Sequence, residues 1–587
     1  MQVEIRLSNH FSPWRHIGTD QAICSIKGNI FYDNRLTDDR EIVLRLSQEM
    51  SGSAPRREAI ARQIGHMNGN YAIVIDAPDH VLCAVDRIRS IPLFYSKRQG
   101  KIIISDDAHI LKNATITGPD DIRAAEFLAT GFVTGKDTLF NGIEQIQAGE
   151  FLLYNKGTEQ TGVYSHYNYQ HRDYFQISDE QMIERMDEVY TNVFKRLIKT
   201  TVDQGKHIVV PLSGGLDSRI LVALLKRLGV EDVTCFTYGI QNNRESRFSR
   251  EVARALGYPW YFVEYTAAKW EEMYRSPELP VVLRYGGNLT ALPHIQDMVA
   301  VRELKKLDVI PAGSVFVPGH GADVLSGCKI PRTYDVKRGC TAEEAVHYIL
   351  ADHHSYWDRG NNGPLQKLFE ERVSAIIPPV RADDCESGAN AIEFFDYKER
   401  QAKYIINSVR AYEYYGYEWR IPFWDNELME FFMKVPVQYR ISQRLYKQFA
   451  RERVFTGDLN KLKYIECTTK FDDSLFQRWM AARNKLRLIY DRFADRGIYA
   501  LWYRDLRSIL LKKNALMTDL SSRYPLLQTM MMQHRIDPSA LTIISLLNLE
   551  YLLEYADIPR LDEEDVKSKK ECIWDISIPE RSKETTR

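Results

Sequence analysis

Apolar residues in the first 170 positions recur in short runs separated by turn-forming residues, a pattern typical of β-strands. The pattern predicts strands at residues 23–30, 71–75, 81–85, 102–104 and 150–154. After a polar, aromatic linker at 170–181, strand-like runs alternate with amphipathic helical segments. This alternation is typical of βαβ units. The chain is therefore predicted to hold a β-rich domain followed by an α/β domain with a parallel sheet.

One stretch, residues 207–219, gives the strongest local signal. The apolar run at 207–212 predicts a short buried strand, and the adjacent Gly214 and Gly215 predict a tight turn that a ligand can approach closely. Apolar residues at three- and four-residue spacing then predict a helix that ends at Gly229. Free N–H groups of the turn and of the helix N-terminus converge on one point, where an anion is favoured.

Polar side chains around this turn supply further ligand-binding groups. Ser213 and Ser218 carry hydroxyl donors, and Asp217 carries a carboxylate. The spacing contains neither the Gly-Lys-Ser/Thr of a Walker loop nor the three glycines of a dinucleotide fingerprint. We interpret the stretch as a phosphate-binding turn. The plainer alternative is a glycine turn that only joins a strand to a helix.

A second strand-and-turn signal follows further along the chain. The apolar run at 315–317 predicts a strand, Gly319 and Gly321 predict a turn, and Asp323 supplies a second carboxylate. Mg²⁺ is typically held by one or two carboxylates together with phosphate oxygens and water. Because parallel strands end at one edge of a sheet, Asp217 and Asp323 are predicted to share a Mg²⁺ ion. Alone, an Asp after a glycine turn would be a simple turn former.

These motifs carry a resemblance to a known family. Residues 213–218 (Ser-Gly-Gly-Leu-Asp-Ser) resemble the pyrophosphate loop of the N-type ATP pyrophosphatases. Residues 319–323 and 418–425 resemble two further segments of the asparagine synthetase family within that group. Residues 67–74, 85–95 and 142–150 resemble the class II glutamine amidotransferase domain that precedes the synthetase domain in this family. The chain thus resembles a divergent member of the asparagine synthetase family.

The resemblance implies a fold and its division into domains. Residues 1–170 are expected to form an antiparallel, β-rich, amidotransferase-like domain of the Ntn type. Residues 171–480 are expected to form the synthetase domain, an α/β fold with a Rossmann-like parallel sheet of the adenine nucleotide α-hydrolase (HUP) class. Amphipathic segments and a charged end predict a helical C-terminal extension at 481–587, where no family motif falls.

The resemblance also implies a nucleotide site with ATP and Mg²⁺ as cofactors. Asp217 and Asp323 match the family's magnesium-binding aspartates, and Tyr238 matches the position whose backbone contacts adenine. The other residues that the resemblance places at the nucleotide are Leu212, Ser213, Gly214, Gly215, Ser218, Pro318 and Gly319.

Two further positions are candidates for the chemical step. Lys470 falls where the family carries its catalytic lysine, whose ammonium would neutralise charge that grows on the α-phosphate; Lys461 and Lys463 are rivals for that role. His320 replaces a glutamate of the family's second loop. A neutral imidazole there could position or deprotonate the incoming group near pH 7, and the alternative is a packed turn histidine. Val324 replaces another glutamate, which puts aspartate as the substrate in doubt.

The amidotransferase half differs from the family at the positions that catalyse glutamine hydrolysis and bind glutamine. Glutamine hydrolysis there needs an N-terminal cysteine as nucleophile, but this sequence begins Met1-Gln2, its first cysteine is Cys24, and the strand that carries the nucleophile is missing from the pattern. The amide-holding Asn-Gly-Glu is Lys-Gly-Asn at 27–29. We therefore expect a scaffold without glutaminase activity, and an amine from free ammonia, a separate glutaminase or the substrate itself.

Net charge, the lengths of apolar runs and the spacing of cysteines indicate which partners and which compartment to expect. The net charge of -1 over 587 residues gives no reason to expect nucleic acid or an anionic membrane as a partner. No apolar run is long enough for a membrane span, and the first residues lack the apolar core of a signal peptide. The eight cysteines are scattered without a Cys-x-x-Cys pair, so a reducing cytoplasm is the expected compartment. The oligomeric state stays open.

The function that the resemblance implies is an ATP-dependent, AMP- and pyrophosphate-forming amide ligase. It would adenylate the carboxylate of a small molecule or glycan, a uronic acid of a bacterial surface polysaccharide being the expected acceptor, and transfer an amine to it. Three alternatives remain open: asparagine formation from aspartate, intramolecular cyclisation of the lasso-peptide or β-lactam synthetase type, and a non-catalytic nucleotide-binding scaffold.

Overall fold

The computed structural model of the protein describes residues 2–8, 11–20, 22–51, 55–98, 100–114, 120–354 and 363–465. Lys470 and the predicted extension at 481–587 lie outside these residues. Within the described ranges, no helix combines the length and the apolar character that crossing a bilayer would require.

The N-terminal part of the chain forms two β-sheets. Its strands are β1 Gln2–Arg6, β2 Arg15–Gly18, β3 Ile23–Tyr32, β4 Arg35–Leu36, β5 Met67–Asp76, β6 His80–Val85, β7 Phe94–Arg98, β8 Lys101–Ser105, β9 Glu144–Gln145, β10 Glu150–Asn155 and β11 Thr161–Ser165. One sheet has the order β11-β10-β6-β5-β3-β2, with β4 paired to β3, and its pairings are antiparallel. The other has the order β1-β8-β7-β9, in which β1 runs parallel to β8.

Both faces of the larger sheet are covered. Alternation along β5 sends Ile73 and Ile75 into a core beneath the helices α1 Asp39–Met50 and α2 Arg57–Gly65, while Ala72 and Val74 join the core shared with the smaller sheet. Burial on both sides explains why β6 is buried at every position. Two further helices of this part are α3 Ala108–Ala114 and α4 Asp121–Thr130.

The five strands predicted in this part correspond to β3, β5, β6, β8 and β10. The structure adds two strands before the first predicted one. In β1, Val3 and Ile5 alternate with polar residues over only five positions, and β2 is almost wholly exposed. Neither segment carries the apolar run from which a strand can be predicted.

The second part is built on a parallel sheet of the order β14-β13-β12-β15-β16. Its strands are β12 Ile208–Pro211, β13 Val233–Gly239, β14 Trp260–Glu264, β15 Val315–Phe316 and β16 Glu418–Trp419. The chain moves from β12 toward one edge and then returns to place β15 on the other side of β12. The strand order therefore reverses between β12 and β15, the position where open parallel sheets bind ligands.

Helices surround this sheet. The α-helices are α5 Asp179–Lys199, α6 Leu216–Arg227, α7 Arg244–Leu256, α8 Ala267–Arg275, α9 Glu278–Gly287, α10 Met298–Lys306, α11 Ala322–Leu325, α12 Ala342–His353, α13 Gly363–Ile376, α14 Ser387–Phe395, α15 Val409–Tyr414, α16 Asn426–Met433, α17 Val437–Arg440 and α18 Arg444–Phe449. Segments of π-helix run over Asp396–Ile405 and Ala450–Val454, and 3-10 turns over Val202–Gln204, Ile406–Ser408, Pro422–Trp424, Ile441–Gln443 and Gly457–Lys461. The mixed α/β class with an antiparallel and a parallel part agrees with the prediction.

Buried polar contacts join the two parts of the chain. Lys403, on the π-helical segment, donates from Nζ to the carbonyl oxygens of Val133 (2.8 Å) and Gly135 (2.7 Å). Glu399 accepts a bond from the Gly135 N–H (3.0 Å) and pairs with Lys403. Both charged side chains are fully buried. Because a buried charge is tolerated only with its partners in place, these bonds hold the N-terminal sheets against the second part.

We predict that Lys403→Met lowers the free energy of unfolding by about 3–5 kcal/mol, because it leaves Glu399 as an unpaired buried charge. Lys199→Met is the matched control, since Lys199 forms an exposed pair with Asp203 and its loss should cost less than about 1 kcal/mol. Urea unfolding measures both. Equal effects of the two substitutions would contradict the structural role given to Lys403.

Candidate active site

Two glycine turns meet at the carboxyl edge of the parallel sheet. Residues 212–215 connect β12 to α6, and residues 317–321 connect β15 to α11. The two strands are neighbours, paired in register from Ile208 with Val315. The turns therefore emerge side by side at the reversal of strand order, as the sequence predicts for a shared ligand site.

The first turn is held by its own serines. The Ser213 N–H donates to the Ser218 hydroxyl (3.0 Å), the two hydroxyls lie 3.0 Å apart, and the Gly215 N–H donates to Ser213 Oγ (3.2 Å). Gly215 caps α6 without any side-chain hydrogen bond to the first amides of the helix. Uncapped amides at a helix N-terminus are free to bind an anion, so this turn retains the donors that a phosphate group needs.

The second turn lies directly against the first. A Cβ added at Gly319 would stand 2.9 Å from the Ser218 nitrogen, closer than real Cβ contacts allow. Gly321 has φ +104 and faces Trp424, whose indole would meet a Cβ at 2.6 Å. Both glycines are therefore required by close packing, and Gly321 also by its left-handed backbone. The buried Pro318 precedes them at the end of the strand.

This packing brings the two predicted carboxylates together. Asp217 Oδ2 accepts the main-chain N–H of Asp323 (3.0 Å), and Asp217 Oδ1 accepts the hydroxyl of Tyr446 (2.9 Å). Asp323 Oδ1 accepts the N–H of Val324 (2.9 Å). A carboxylate oxygen can accept more than one bond, so both side chains keep capacity for a cation.

The buried negative charges of Asp217 and Asp323 indicate that a cation is needed to balance them. Burial, and then the charge of Asp323, raise the pKa of Asp217 well above its usual range. Burial likewise raises the pKa of Asp323. Two carboxylates at this depth are ionised together only when a cation offsets their charge. Across the described part of the chain, no three metal-binding side chains converge, and two carboxylates completed by phosphate oxygens and water are the donor set that Mg²⁺ prefers. The residues present fit a Mg²⁺ site.

Tyr446 is a site residue that the sequence did not reveal. Its ring is fully buried and its hydroxyl is bonded to Asp217. It lies on α18, far from both turns along the chain, and a tyrosine in an amphipathic helix carries no signal that distinguishes a carboxylate partner from a core residue. Its bond restricts the rotamer of Asp217, which positions the carboxylate beside Asp323.

An aromatic wall stands on the β13 side of the first turn. The ring of Tyr238 stacks on Tyr265 at 4.8 Å with an interplanar angle of 13°, and its hydroxyl donates to the carboxylate of Asp297, which also accepts the Tyr412 hydroxyl. Leu212 is anchored to β13 because its N–H donates to the Phe236 carbonyl (2.8 Å). These bonds leave Tyr238 fixed in place at the carboxyl end of β13.

His320 lies on the second turn beside other polar groups. Its Nδ1 is 3.2 Å from the Ser408 hydroxyl, and its ring centroid is 6.4 Å from that of His294. Burial lowers the pKa of His320 to about 4, so the imidazole is neutral near pH 7. A group with so low a pKa is a weak proton acceptor at that pH, and a hydrogen-bonding role suits it better than that of a general base.

The chain reaches the first turn again just before the end of the described residues. The Ile465 N–H donates to the Gly214 carbonyl (2.9 Å). The buried Arg219 of α6 donates to the carbonyls of Leu462 (3.0 Å) and Lys463 (2.7 Å). Lys470, the predicted catalytic lysine, follows this anchored segment by five residues but lies outside the described part of the chain.

Two families match the chain. Residues 190–459 match asparagine synthase, and residues 33–166 match the glutamine amidotransferase domain. Among curated proteins, the chain is similar to a tRNA-specific 2-thiouridylase of Ehrlichia canis (strain Jake), with 26% identity over 136 residues. The similar region covers 21% of this chain and 36% of that protein, so the chain spans about a third of that relative's length.

Solved structures resemble the chain only weakly. The NMN synthetase from Francisella tularensis is 14% identical with a TM-score of 0.18, and the similarity covers 26% of this chain and 58% of that one. The NH3-dependent NAD synthetase from Campylobacter jejuni is 12% identical with a TM-score of 0.20, covering 35% of this chain and 100% of that one. Similarity at this level identifies neither a substrate nor a reaction.

We predict that Gly319→Ala weakens binding of Mg·ATP about 10-fold or more. The added methyl would force the two turns apart at a cost of about 1–3 kcal/mol. Gly18→Ala is the control, because a Cβ at Gly18 meets no atom within 4 Å. Isothermal titration calorimetry with Mg·ATP measures the affinity, and unfolding curves check that both variants are folded. Unchanged affinity in Gly319→Ala would show that the close approach of the turns is not needed for the nucleotide.

Proposed function

We propose that this chain, which has the two-domain architecture of the asparagine synthetase family, is an ATP-dependent ligase that forms an amide and releases AMP and pyrophosphate. The observation that carries the proposal is the meeting of two glycine turns, each followed by a carboxylate, at the reversal point of a parallel sheet. Uncapped helix amides and a pair of facing aspartates are groups that bind the phosphates and the cation of a nucleotide.

The proposed reaction has two steps. First, an oxygen of the substrate carboxylate attacks the α-phosphorus of ATP, and the bond from that phosphorus to the bridging oxygen of the β-phosphate breaks. Pyrophosphate leaves, and an acyl-adenylate forms. Second, an amine attacks the acyl carbon, the bond to the AMP oxygen breaks, and the amine gives up a proton. The acyl-adenylate is reactive because AMP is a far better leaving group than hydroxide.

The first turn would bind the leaving pyrophosphate. The Gly214 N–H, the uncapped first amides of α6 and the hydroxyls of Ser213 and Ser218 would bind the pyrophosphate, with Gly215 allowing its close approach. The helix α6 would direct its positive end toward the pyrophosphate. Interactions that strengthen as negative charge develops on the leaving pyrophosphate accelerate the step. Interactions that bind ATP and the transition state equally do not.

The two aspartates would hold the cation. Asp217 and Asp323 would hold Mg²⁺, which when bound screens the phosphate charges against the incoming carboxylate. Tyr446 would keep Asp217 oriented for that purpose. In the second turn, His320 would act as a neutral hydrogen-bonding group toward the acceptor or the amine. Lys470, which lies outside the described residues, would add a positive charge at the α-phosphate.

The acceptor is a carboxylate other than aspartate in this proposal. The position of the family's second-loop glutamate is held by Val324, which is 1% exposed and packs in the core. No carboxylate is therefore offered to a substrate from that position. A sugar acid of a surface polysaccharide is the acceptor we propose, with a small-molecule carboxylate as the broader class.

The N-terminal domain is proposed to have no glutaminase activity. Cys24 and Cys83 are fully buried on β3 and β6, where burial raises the pKa of both thiols. Asp86, at the position of the family's Arg-Asp pair, accepts main-chain N–H groups from Tyr71 (2.8 Å), Ile88 (2.9 Å) and Ser90 (3.1 Å). A carboxylate engaged in this way stabilises its own loop and has little capacity left for glutamine.

The proposal is tested by exchange of labelled pyrophosphate into ATP with galacturonate, glucuronate or aspartate as acceptor. Exchange that depends on a carboxylate is expected, and aspartate should be the poorest of the three. ATP hydrolysis to ADP and phosphate, with no exchange under any acceptor, would reject the ligase.

We predict that Asp217→Asn reduces the exchange rate by about 100-fold or more, because the substitution removes a charge that holds the cation at the transferring phosphate. Asp232→Asn is the control: its carboxylate is exposed and pairs with His207 at the opposite end of the strands. Exchange at the wild-type rate in Asp217→Asn would remove Asp217 from the site.

We predict that ammonium chloride supports amide formation and that glutamine does not. Glutamate release from glutamine, measured with the pure protein, should stay at the background rate. Adding a separate glutaminase should restore amide formation from glutamine, which controls for an intact ligase site. Glutamine turnover by the protein alone would contradict the loss of glutaminase activity.

A further inference from the structure

A cavity of about 420 Å³ lies between the N-terminal domain and the parallel-sheet domain. Its walls come from residues 11–15, 27–31 and 68–70 on one side and from residues 193–206 and 413–425 on the other. Cavities that hold small ligands typically measure about 300–1,000 Å³. The space therefore suits a small molecule, and it lies outside the nucleotide site described above.

Most charged side chains in the walls are already paired. Arg196 binds Asp425 (2.7 Å), and Lys206 binds Glu418 (2.6 Å). Arg420 also binds Glu418, at 3.0 Å. Further along the walls, Arg15 pairs with Asp39 and Glu413 with Arg410. These groups have little need of a charged ligand.

Lys27 differs from them. Its side chain is only 3% exposed, yet its ammonium donates no hydrogen bond to any residue that the structure describes. The nearest ring is Trp14, at 5.9 Å, and the surrounding charges of Glu413 and Asp106 act on it without a direct bond. Burial lowers the pKa of Lys27, because the charged ammonium loses hydration there. Lys27 lines the cavity, so an ammonium without a protein acceptor is available to a ligand bound there.

Lys27 stands where the cavity adjoins a smaller, more enclosed space. Both spaces have Lys27 and Ile91 in their walls, and the smaller one also includes the side chains of Arg89 and Arg410. Arg410 is neutralised by its ion pair with Glu413, so Lys27 and Arg89 are the two cations of the closed end without an ion-pair partner among the described residues, and Asp106 is the one carboxylate in that wall. Charge at this end favours an anionic group over a cationic one.

Two side-chain amides without a hydrogen-bond partner among the described residues lie near Lys27. Asn29 and Asn70 are directly opposed in the β3·β5 ladder, and their side chains hydrogen-bond to no described residue. Gly28 and Gly69 beside them have φ +94 and +127, and a Cβ at either would stand within 2.2 Å of the opposite strand's carbonyl oxygen. The strands therefore require glycine at both positions, and their close approach fixes the two amides on the cavity wall.

We propose that this cavity binds a small organic carboxylate, with the carboxylate accepting bonds from the ammonium of Lys27 and the amides of Asn29 and Asn70, and with the carbon skeleton against Trp419 and Trp424. An ammonium with flanking amide donors matches the acceptor oxygens of a carboxylate. The indoles supply the apolar surface that such pockets use to hold the rest of a ligand.

The position of the cavity links it to the second glycine turn. Trp424 lines the cavity, and its indole is the group that packs on Gly321. A carboxylate bound here lies one side chain away from the turn that carries His320 and Asp323. Occupancy of this cavity is nevertheless a separate event from adenylation, because it needs neither ATP nor the aspartate pair.

Isothermal titration calorimetry of the full chain without ATP tests the proposal. Galacturonate, citrate and glutamate are the probes, and galactose is the neutral counterpart of galacturonate. At least one carboxylate should bind with a dissociation constant in the millimolar range or tighter, and galactose should not bind. No binding by any of the three carboxylates would overturn the proposal, and so would equal affinity for galacturonate and galactose.

Lys27→Met should weaken that binding about 10-fold or more, since a charge-assisted hydrogen bond is lost. Lys206→Met is the matched control: Lys206 also lines the cavity, but its ammonium is engaged by Glu418, so the affinity should change less than about 3-fold. Wild-type affinity in Lys27→Met would reject the site. If Lys27→Met does not fold, the double variant Asn29→Ala, Asn70→Ala serves instead; it should weaken binding at least several-fold, and unchanged affinity would equally reject the site.

Discussion

The close approach of two main-chain turns governs the arrangement of this protein's site. Gly319 lies so near the backbone of Ser218 that no side chain fits between them. That contact sets Asp323 beside Asp217, where the main-chain N–H of one residue bonds to the carboxylate of the other. The contact between the turns places three groups at one site. They are the uncapped start of α6, the aspartate pair and the buried hydroxyl of Tyr446. A sheet with β12 and β15 as neighbours is the condition for that contact.

Charge is placed in the interior of this protein at two kinds of site. At the domain interface, Lys403 and Glu399 are buried but bonded to each other and to main-chain groups, so their cost is offset and they hold the two parts together. At the aspartate pair and at Lys27 no described residue forms an ion pair with the charged group, although Lys329 acts on Asp323, and Glu413 and Asp106 act on Lys27, from a distance. The two proposed ligands, a cation at the aspartates and a carboxylate at Lys27, would supply direct partners.

The N-terminal domain is held together by core packing and main-chain hydrogen bonds. Its two sheets are closed by ordinary core packing, and the loop around Asp86 is held by main-chain bonds that need no substrate. At the cavity wall, β3 carries Lys27 and Asn29, and β5 carries Asn70. Gly28 and Gly69 let these two strands approach each other closely. The wall therefore presents one cation and two amides.

The sequence by itself determined the division into a β-rich and an α/β part, five strands of the first and two of the second, and both glycine turns with their aspartates. These features depend on local periodicity, on glycine and on short motifs, which act over a few residues and leave a readable pattern. The exposed β2, the short β1, the role of Tyr446, the pairing partners of Glu418 and Asp425, and the isolation of Lys27 were decided only by the tertiary structure. Each depends on residues distant in the chain that meet in space, and burial or the lack of a partner cannot be read from spacing alone.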